Sequence, residues 1–92
     1  MSLVQLESFV AVAEEGHMGR AARRLHLTQP PLTRRIQGLE DDLGVKLFAR
    51  GRGGMQLLPP GDVLLEHARD ILARVEQARD SVAGSDLGPP GS

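Results

Sequence analysis

A chain of 92 residues, 40% hydrophobic and 25% charged, has the size and balance of one ordinary soluble domain rather than two. It has no cysteine, which excludes disulfides and thiolate metal sites, and no apolar run near the ~18 residues a membrane helix needs. The net charge of −1 conceals a basic middle: Arg20 to Arg52 holds eight basic side chains against three acids, while the rest of the chain holds three against nine. Such a middle suits a polyanion or, alternatively, a solvated face. MSLVQLESF lacks the basic-then-apolar pattern of a secretory signal, so a cytoplasmic location is expected.

Leu3, Leu6, Val10 and Ala13 recur at helical spacing, with Val4, Phe9, Ala11 and Val12 widening the apolar face. They predict a first helix from Leu3 to Glu15, stopped by Gly16. Met18 to Leu25 reads as a short second helix with Ala21, Ala22 and Leu25 inward, and His26-Leu27 as a tight connection. A third helix is expected from Gln29 to Leu43, with Leu32, Ile36, Leu39 and Leu43 as its core stripe and Gly44 as its stop. Thr28 suits its N-cap, the hydroxyl accepting an orphan N–H. Pro30 and Pro31 then fall in the first turn, where no ladder bond is lost.

Two apolar runs, Val45 to Ala49 and Met55 to Leu58, flank RGRGG and predict a β-hairpin. The last helix is expected from around Pro60 to Val82 or Ala83, roughly 34 Å at 1.5 Å per residue. Leu64, Ala68, Ile71, Val75, Ala78 and Val82 form a heptad seam along it, with Leu65 and Leu72 as a second stripe. That pattern predicts a homodimer through this helix, favoured also by the small size of the globular part. The expected organisation is a mainly α winged helix-turn-helix (α-α-α-β-β) over residues 1–58, a linker and dimerisation helix over 59–83, and a flexible Gly/Pro/Ser-rich tail over 84–92.

Ala22, Leu25, Leu27, Leu32 and Ile36 fall at helix-turn-helix spacing: a small residue for close approach, two apolar residues about the corner and two facing the core. His26 occupies the turn, and histidine tolerates the left-handed conformation. With the core stripe fixed, Pro30, Thr33, Arg34 and Gln37 point outward, with Gln29 and Pro31 at the tip. A recognition helix offers its N-terminal residues to base edges. Gln pairs with adenine, Arg with guanine, and Thr or Pro carbons touch a thymine methyl. Gln29, Pro30, Pro31, Thr33 and Arg34 are therefore the expected base readers. Arg35, nearer the core edge, is expected to meet phosphate or an acid. Arg50 and Arg52 in the wing are expected to reach phosphates or a narrow minor groove, which attracts arginine, and Arg20 in the second helix to hold the backbone.

Chemistry is not expected. The histidines are His17, His26 and His67, in no catalytic or metal-ligand spacing. RGRGG lacks the G-K-[ST] ending of a P-loop, and Glu40-Asp41-Asp42 reads as the acidic end of a solvated helix. No cofactor or metal is implied. With two Phe and no Tyr or Trp, the chain is poorly equipped to stack single-stranded bases.

LESFVAVAEEGHMGRAARRLHLTQPPLTRRIQGLEDDLGVKLFAR, followed by LLPPGDVLLEHARDIL, closely resembles the N-terminal DNA-binding domain of LysR-type transcriptional regulators, over about Leu3 to Val82. The resemblance implies a winged helix-turn-helix dimerised through the linker helix, bound to double-stranded DNA at an interrupted dyad operator. It also implies a C-terminal domain, outside these 92 residues, that senses a small-molecule effector, and tetramers of the full-length protein. Thr28 matches the family residue that opens the recognition helix and also bonds phosphate. Three positions depart from the family pattern. His17 replaces the usual serine before the second helix, which weakens that cap. Gly19 replaces a frequent Ser or Thr and removes a phosphate contact. Leu58-Pro59-Pro60-Gly61 replaces Thr-Pro-Ala-Gly and removes the threonine cap of the linker helix. The alternative class is a dimeric winged-helix module that binds protein and does not read DNA.

Overall fold

The computed structural model describes residues 1–86. Helix α1, Leu3–Glu15, opens with a capping box: the Ser2 hydroxyl accepts the Gln5 N–H and the Gln5 side chain accepts the Ser2 N–H. It ends at Gly16, whose φ of 65° is the left-handed turn expected there. Leu6, Phe9, Val10, Ala11 and Val12 are buried, so α1 is the central element of the core.

Helix α2, Met18–Arg24, is capped by His17, whose Nδ1 accepts the Arg20 N–H at 3.1 Å. The expected weakening of this cap is corrected: an imidazole nitrogen supplies the acceptor that a serine hydroxyl would. Its C-terminus closes on His26 at φ 58°. There the Leu27 N–H reaches Ala22 O at 2.8 Å and the His26 N–H reaches Arg23 O at 3.1 Å, the two bonds of a Schellman closure. Helix α3, Gln29–Leu43, then crosses the core with Leu32, Ile36 and Leu39 buried, and Gly44 ends it at φ 72°. Leu43, expected inward, is exposed.

Thr28 sits at the N-cap position of α3 but makes no side-chain capping bond. The reason is chemical. A cap hydroxyl accepts from the second or third helical N–H, and those positions are Pro30 and Pro31, which have none.

Strands β1, Phe48–Gly51, and β2, Gly54–Leu57, pair antiparallel with Phe48 opposite Leu57 and Arg50 opposite Met55. The hairpin is shifted from the expected runs: Val45 to Leu47 form a connector, and Arg50 and Gly51 belong to the first strand. Glu40 sets that start. Its Oε2 accepts the Leu47 N–H at 2.7 Å and the Phe48 N–H at 3.4 Å, and the residue is buried. The expectation of a solvated acidic helix end is therefore corrected at Glu40. Phe48 packs against Phe9 with ring centroids 5.4 Å apart. The other strand is pinned to the α1–α2 turn, where the Met55 N–H reaches Gly16 O at 3.0 Å. A side chain at Gly54 would collide with that same carbonyl.

Helix α4, Pro59–Asp86, runs past the expected end at 83, so residues 84–86 of the expected tail are helical; the rest of that tail lies outside the described residues. Gly61 lets its first turn lie on the Leu47 carbonyl, which a Cβ would meet at 2.5 Å. Leu64 and Ala68 are buried in the domain's own core, and Leu65, Ile71 and Leu72 pack against it half-buried. The expected seam is thus divided along the helix. Its first half is used within the chain, and only Val75, Ala78 and Val82 extend beyond the core cluster. Heptad spacing reports that one helix face is apolar, not which chain covers it. At about 1.5 Å per residue the 28-residue helix is roughly 42 Å long, in a molecule of 61 × 25 × 19 Å.

Candidate nucleic-acid interface

The first turn of α3 stands out from the core. Gln29 and Pro30 are exposed, Pro31 and Thr33 half-buried, and Arg34 and Gln37 exposed. Leu32 and Ile36 behind them are buried, so packing fixes which way the outer residues face. Thr28 adds an exposed hydroxyl that the prolines leave without a helical partner. The helix thus presents uncommitted Thr, Gln and Arg groups at a proline-stiffened end.

The two arginines of α3 differ. Arg34 makes no ion pair among the described residues. Arg35 is half-buried, and its Nη1 donates to the buried Ser8 hydroxyl of α1 at 3.3 Å. Among the described residues its partner is thus not an acid but a serine, which anchors α3 on α1.

On α2, Arg20 Nη2 donates to the Glu15 carbonyl at 2.8 Å, which turns it toward the end of α1. Arg24 pairs with Glu14 at 2.8 Å, and Arg69 of α4 reaches the other oxygen of the same carboxylate at 2.9 Å. Hydrogen bonds from Arg24 and then Arg69 hold the Glu14 carboxyl below the usual carboxylate range. The group ties three helices together and takes Arg24 out of the free basic surface. Arg23 stays exposed and unpaired among the described residues.

The wing stands beside α3. Arg50 lies in β1, and Arg52 lies in the two-residue turn at the tip. Both are exposed and unpaired among the described residues. A cleft of about 340 Å³ between α3 and the wing is lined by Thr33, Gln37, Lys46, Arg50 and Met55, among others. A second notch brings Gln29 of α3 to the same wall as Arg50 and Gly51. Of the expected DNA-contacting residues, Gln29, Thr33 and Arg50 therefore border these two concave surfaces, which share Arg50. Lys46 is a cleft residue the sequence reading did not single out. Its signal was a lone cation inside the apolar run that leads into the basic loop. Its Nζ lies 3.8 Å from Glu40, and its side chain is largely exposed.

The comparisons with known proteins agree with this geometry. Residues 3–62 match the family of bacterial regulatory helix-turn-helix proteins of the lysR type. The HTH-type transcriptional regulator ClcR of Pseudomonas putida is 54% identical over 79 residues, covering 86% of this chain and 27% of that protein. The chain thus spans about a quarter of such a regulator's length. The crystal structure of the CbnR DNA-binding domain in complex with DNA superposes with a TM-score of 0.88 at 45% identity, covering 94% of this chain and 99% of that one. The BenM DNA-binding domain in complex with catB site 1 DNA superposes at 0.93 with 37% identity, covering 97% and 100%. With a winged helix-turn-helix of this geometry and a family match over most of its length, the chain belongs to the lysR family of bacterial regulatory helix-turn-helix proteins.

Proposed function

We propose that this chain binds double-stranded DNA sequence-specifically as a homodimer, as the DNA-binding part of a cytoplasmic, nucleoid-associated transcription regulator without catalytic activity. The observation that carries the reading is the outward N-terminal half of α3, where Gln29 and Arg34 are exposed and Gln29 and Thr33 share concave surfaces with Arg50 of a wing whose arginines are unpaired among the described residues. Gln29, Pro30, Pro31, Thr33 and Arg34 read base edges in the major groove. Arg20, Thr28, Arg50 and Arg52 hold phosphates or a narrow minor groove, joined by Arg23 and Lys46. Arg35, held from behind by its bond to Ser8, joins them with its remaining guanidinium N–H groups. Two recognition helices about 34 Å apart on one face of the duplex meet the half-sites of an interrupted dyad. That related domains have been solved on DNA supports the same docking here.

In the full-length protein we place a C-terminal effector domain after α4 and assembly into tetramers. Titrating the domain against duplexes selected from a randomised library, and against random duplex, at several salt concentrations tests the DNA reading. Tight, selective binding with a steep negative dependence on log salt is expected. Absence of binding to either duplex at low salt would defeat the proposal in favour of a protein-binding module.

A further inference from the structure

His17, Gly19 and Gln29 meet at one point. A Cβ built on Gly19 would lie 2.9 Å from His17 Cε1, 3.2 Å from His17 Nδ1 and 3.2 Å from the Gln29 side-chain nitrogen. The imidazole and the amide therefore converge over the bare backbone of α2, from opposite elements of the helix-turn-helix. His17 is not free to leave. Its Nδ1 accepts the Arg20 N–H at 3.1 Å, and the preceding Gly16 carbonyl accepts the Met55 N–H from the wing at 3.0 Å. The cap also fixes the tautomer: with Nδ1 as acceptor, the neutral ring carries its proton on Nε2. The notch they form also includes Arg50 and Gly51 of the wing.

We infer that His17 and Gly19 are specificity-determining positioning residues, which together set where the Gln29 amide lies against the base it reads. The inference rests on the DNA-binding reading and on Gln29 as a base reader. Its basis is steric. A bidentate amide–adenine pair tolerates little lateral displacement, so the wall beside the amide selects the base. Any side chain at position 19 takes the space where amide and ring now approach. The Gln29 amide is the end of an exposed, flexible side chain and gives way, whereas the His17 ring is held by its cap bond, so a substitution displaces the amide and presses on that cap rather than on the backbone. Gly19 has no positive φ, and alanine is the better helix former, so the fold tolerates the change.

This separates stability from specificity. The test measures binding of the wild-type domain and of Gln29→Ala, Gly19→Ala and His17→Asn to a panel of single-base variants of a duplex selected by the wild type, alongside their melting curves. Asparagine keeps a capping acceptor at position 17 but removes the ring. Gly19→Ala is expected to remain folded, the better helix propensity of alanine offsetting the pressure on the His17 cap. It should still lose roughly tenfold of the preference at the base position where Gln29→Ala loses it, and leave the other positions alone. His17→Asn is expected to keep Tm and lose preference at that same position. Combining Gly19→Ala with Gln29→Ala should add nothing further.

Unchanged preference in both Gly19→Ala and His17→Asn overturns the inference, as does a uniform loss across all positions. If Gln29→Ala changes no position, the inference falls while the DNA-binding reading stands. If the wild type selects no sequence at all, the DNA-binding reading itself fails.

Discussion

The Glu40 carboxylate accepts the backbone N–H of Leu47 at 2.7 Å and, more weakly, that of Phe48 at 3.4 Å. One buried acid on the recognition helix thereby satisfies the connector to the wing and sets where the first strand begins. Glu40→Ala leaves the buried Leu47 N–H unsatisfied, which costs about 1–3 kcal/mol. Urea denaturation should register a lower midpoint. Glu40→Gln, which keeps an acceptor oxygen, should recover much of the difference.

His26 holds a left-handed conformation at φ 58° to close the helix-turn-helix corner. Glycine reaches that conformation without steric penalty. His26→Gly should therefore stabilise the domain by about 0.5–1 kcal/mol, within the range of strain a non-glycine left-handed residue carries. Thermal melts of the two proteins decide it, and a lower Tm for the glycine variant would contradict the strain argument.

Glu14 is held below the usual carboxylate range by Arg24 and Arg69. A depressed folded-state value means the unfolded chain binds the proton more readily. The contribution is thus fully present above the unfolded-state value and is lost as pH falls through the folded one. Its side chain is a third exposed and Arg69 more than half, so solvent screening limits the gain to under about 1 kcal/mol. Glu14→Gln should be less stable than wild type at pH 7 and should approach it in acid. A gap that stays constant through the acid range would assign the effect to packing.

Arg34 and Arg52 separate the two modes of contact. Arg34→Ala should cost roughly 1–3 kcal/mol of binding and relax preference at one base position. Arg52→Ala should weaken all duplexes about evenly and reduce the salt slope by about one. Competition titrations over a panel of single-base duplex variants compare the two. An even loss for Arg34→Ala would move it from base reading to phosphate contact.

The helix-turn-helix was legible because its signals are local. Ala22, Leu25, Leu27, Leu32 and Ile36 encode the corner by spacing alone, and the buried stripe of α3 fixes the outward residues. What sequence missed depended on partners distant in the chain. Glu40 looks like part of an acidic cluster until the Leu47 N–H folds onto it. Arg35 looks like a surface cation until Ser8 arrives from α1. Thr28 was a different failure. Its residue type and place mark a cap, but the two positions whose N–H a cap hydroxyl accepts are prolines.

The proposed dimer contact depends on which apolar residues of α4 the chain leaves open. Leu64 and Ala68, read as seam residues, are buried in the monomer and are poor sites to test association. An open apolar groove of about 450 Å³ lies along the base of α4, lined by Leu43, Val45, Pro60, Val63, His67 and Ile71, among others. Val63 is 61% exposed there and Val82 is 70% exposed further along the same helix. Under the proposed homodimer, this groove and these exposed branched side chains are the apolar surface a second copy would cover. Val63→Asp removes little from the monomer core but puts a charge into that contact, where burial without a partner is costly. It should sediment as a monomer where wild type is a dimer, keep its helical circular dichroism, and bind a two-half-site duplex more weakly than wild type. Ile71→Asp should give the same monomer with a loss of stability besides, since Ile71 also packs on the core. A Val63→Asp protein that remains dimeric would place the contact on the distal part of α4 alone, and Val82→Asp would then be the disrupting change.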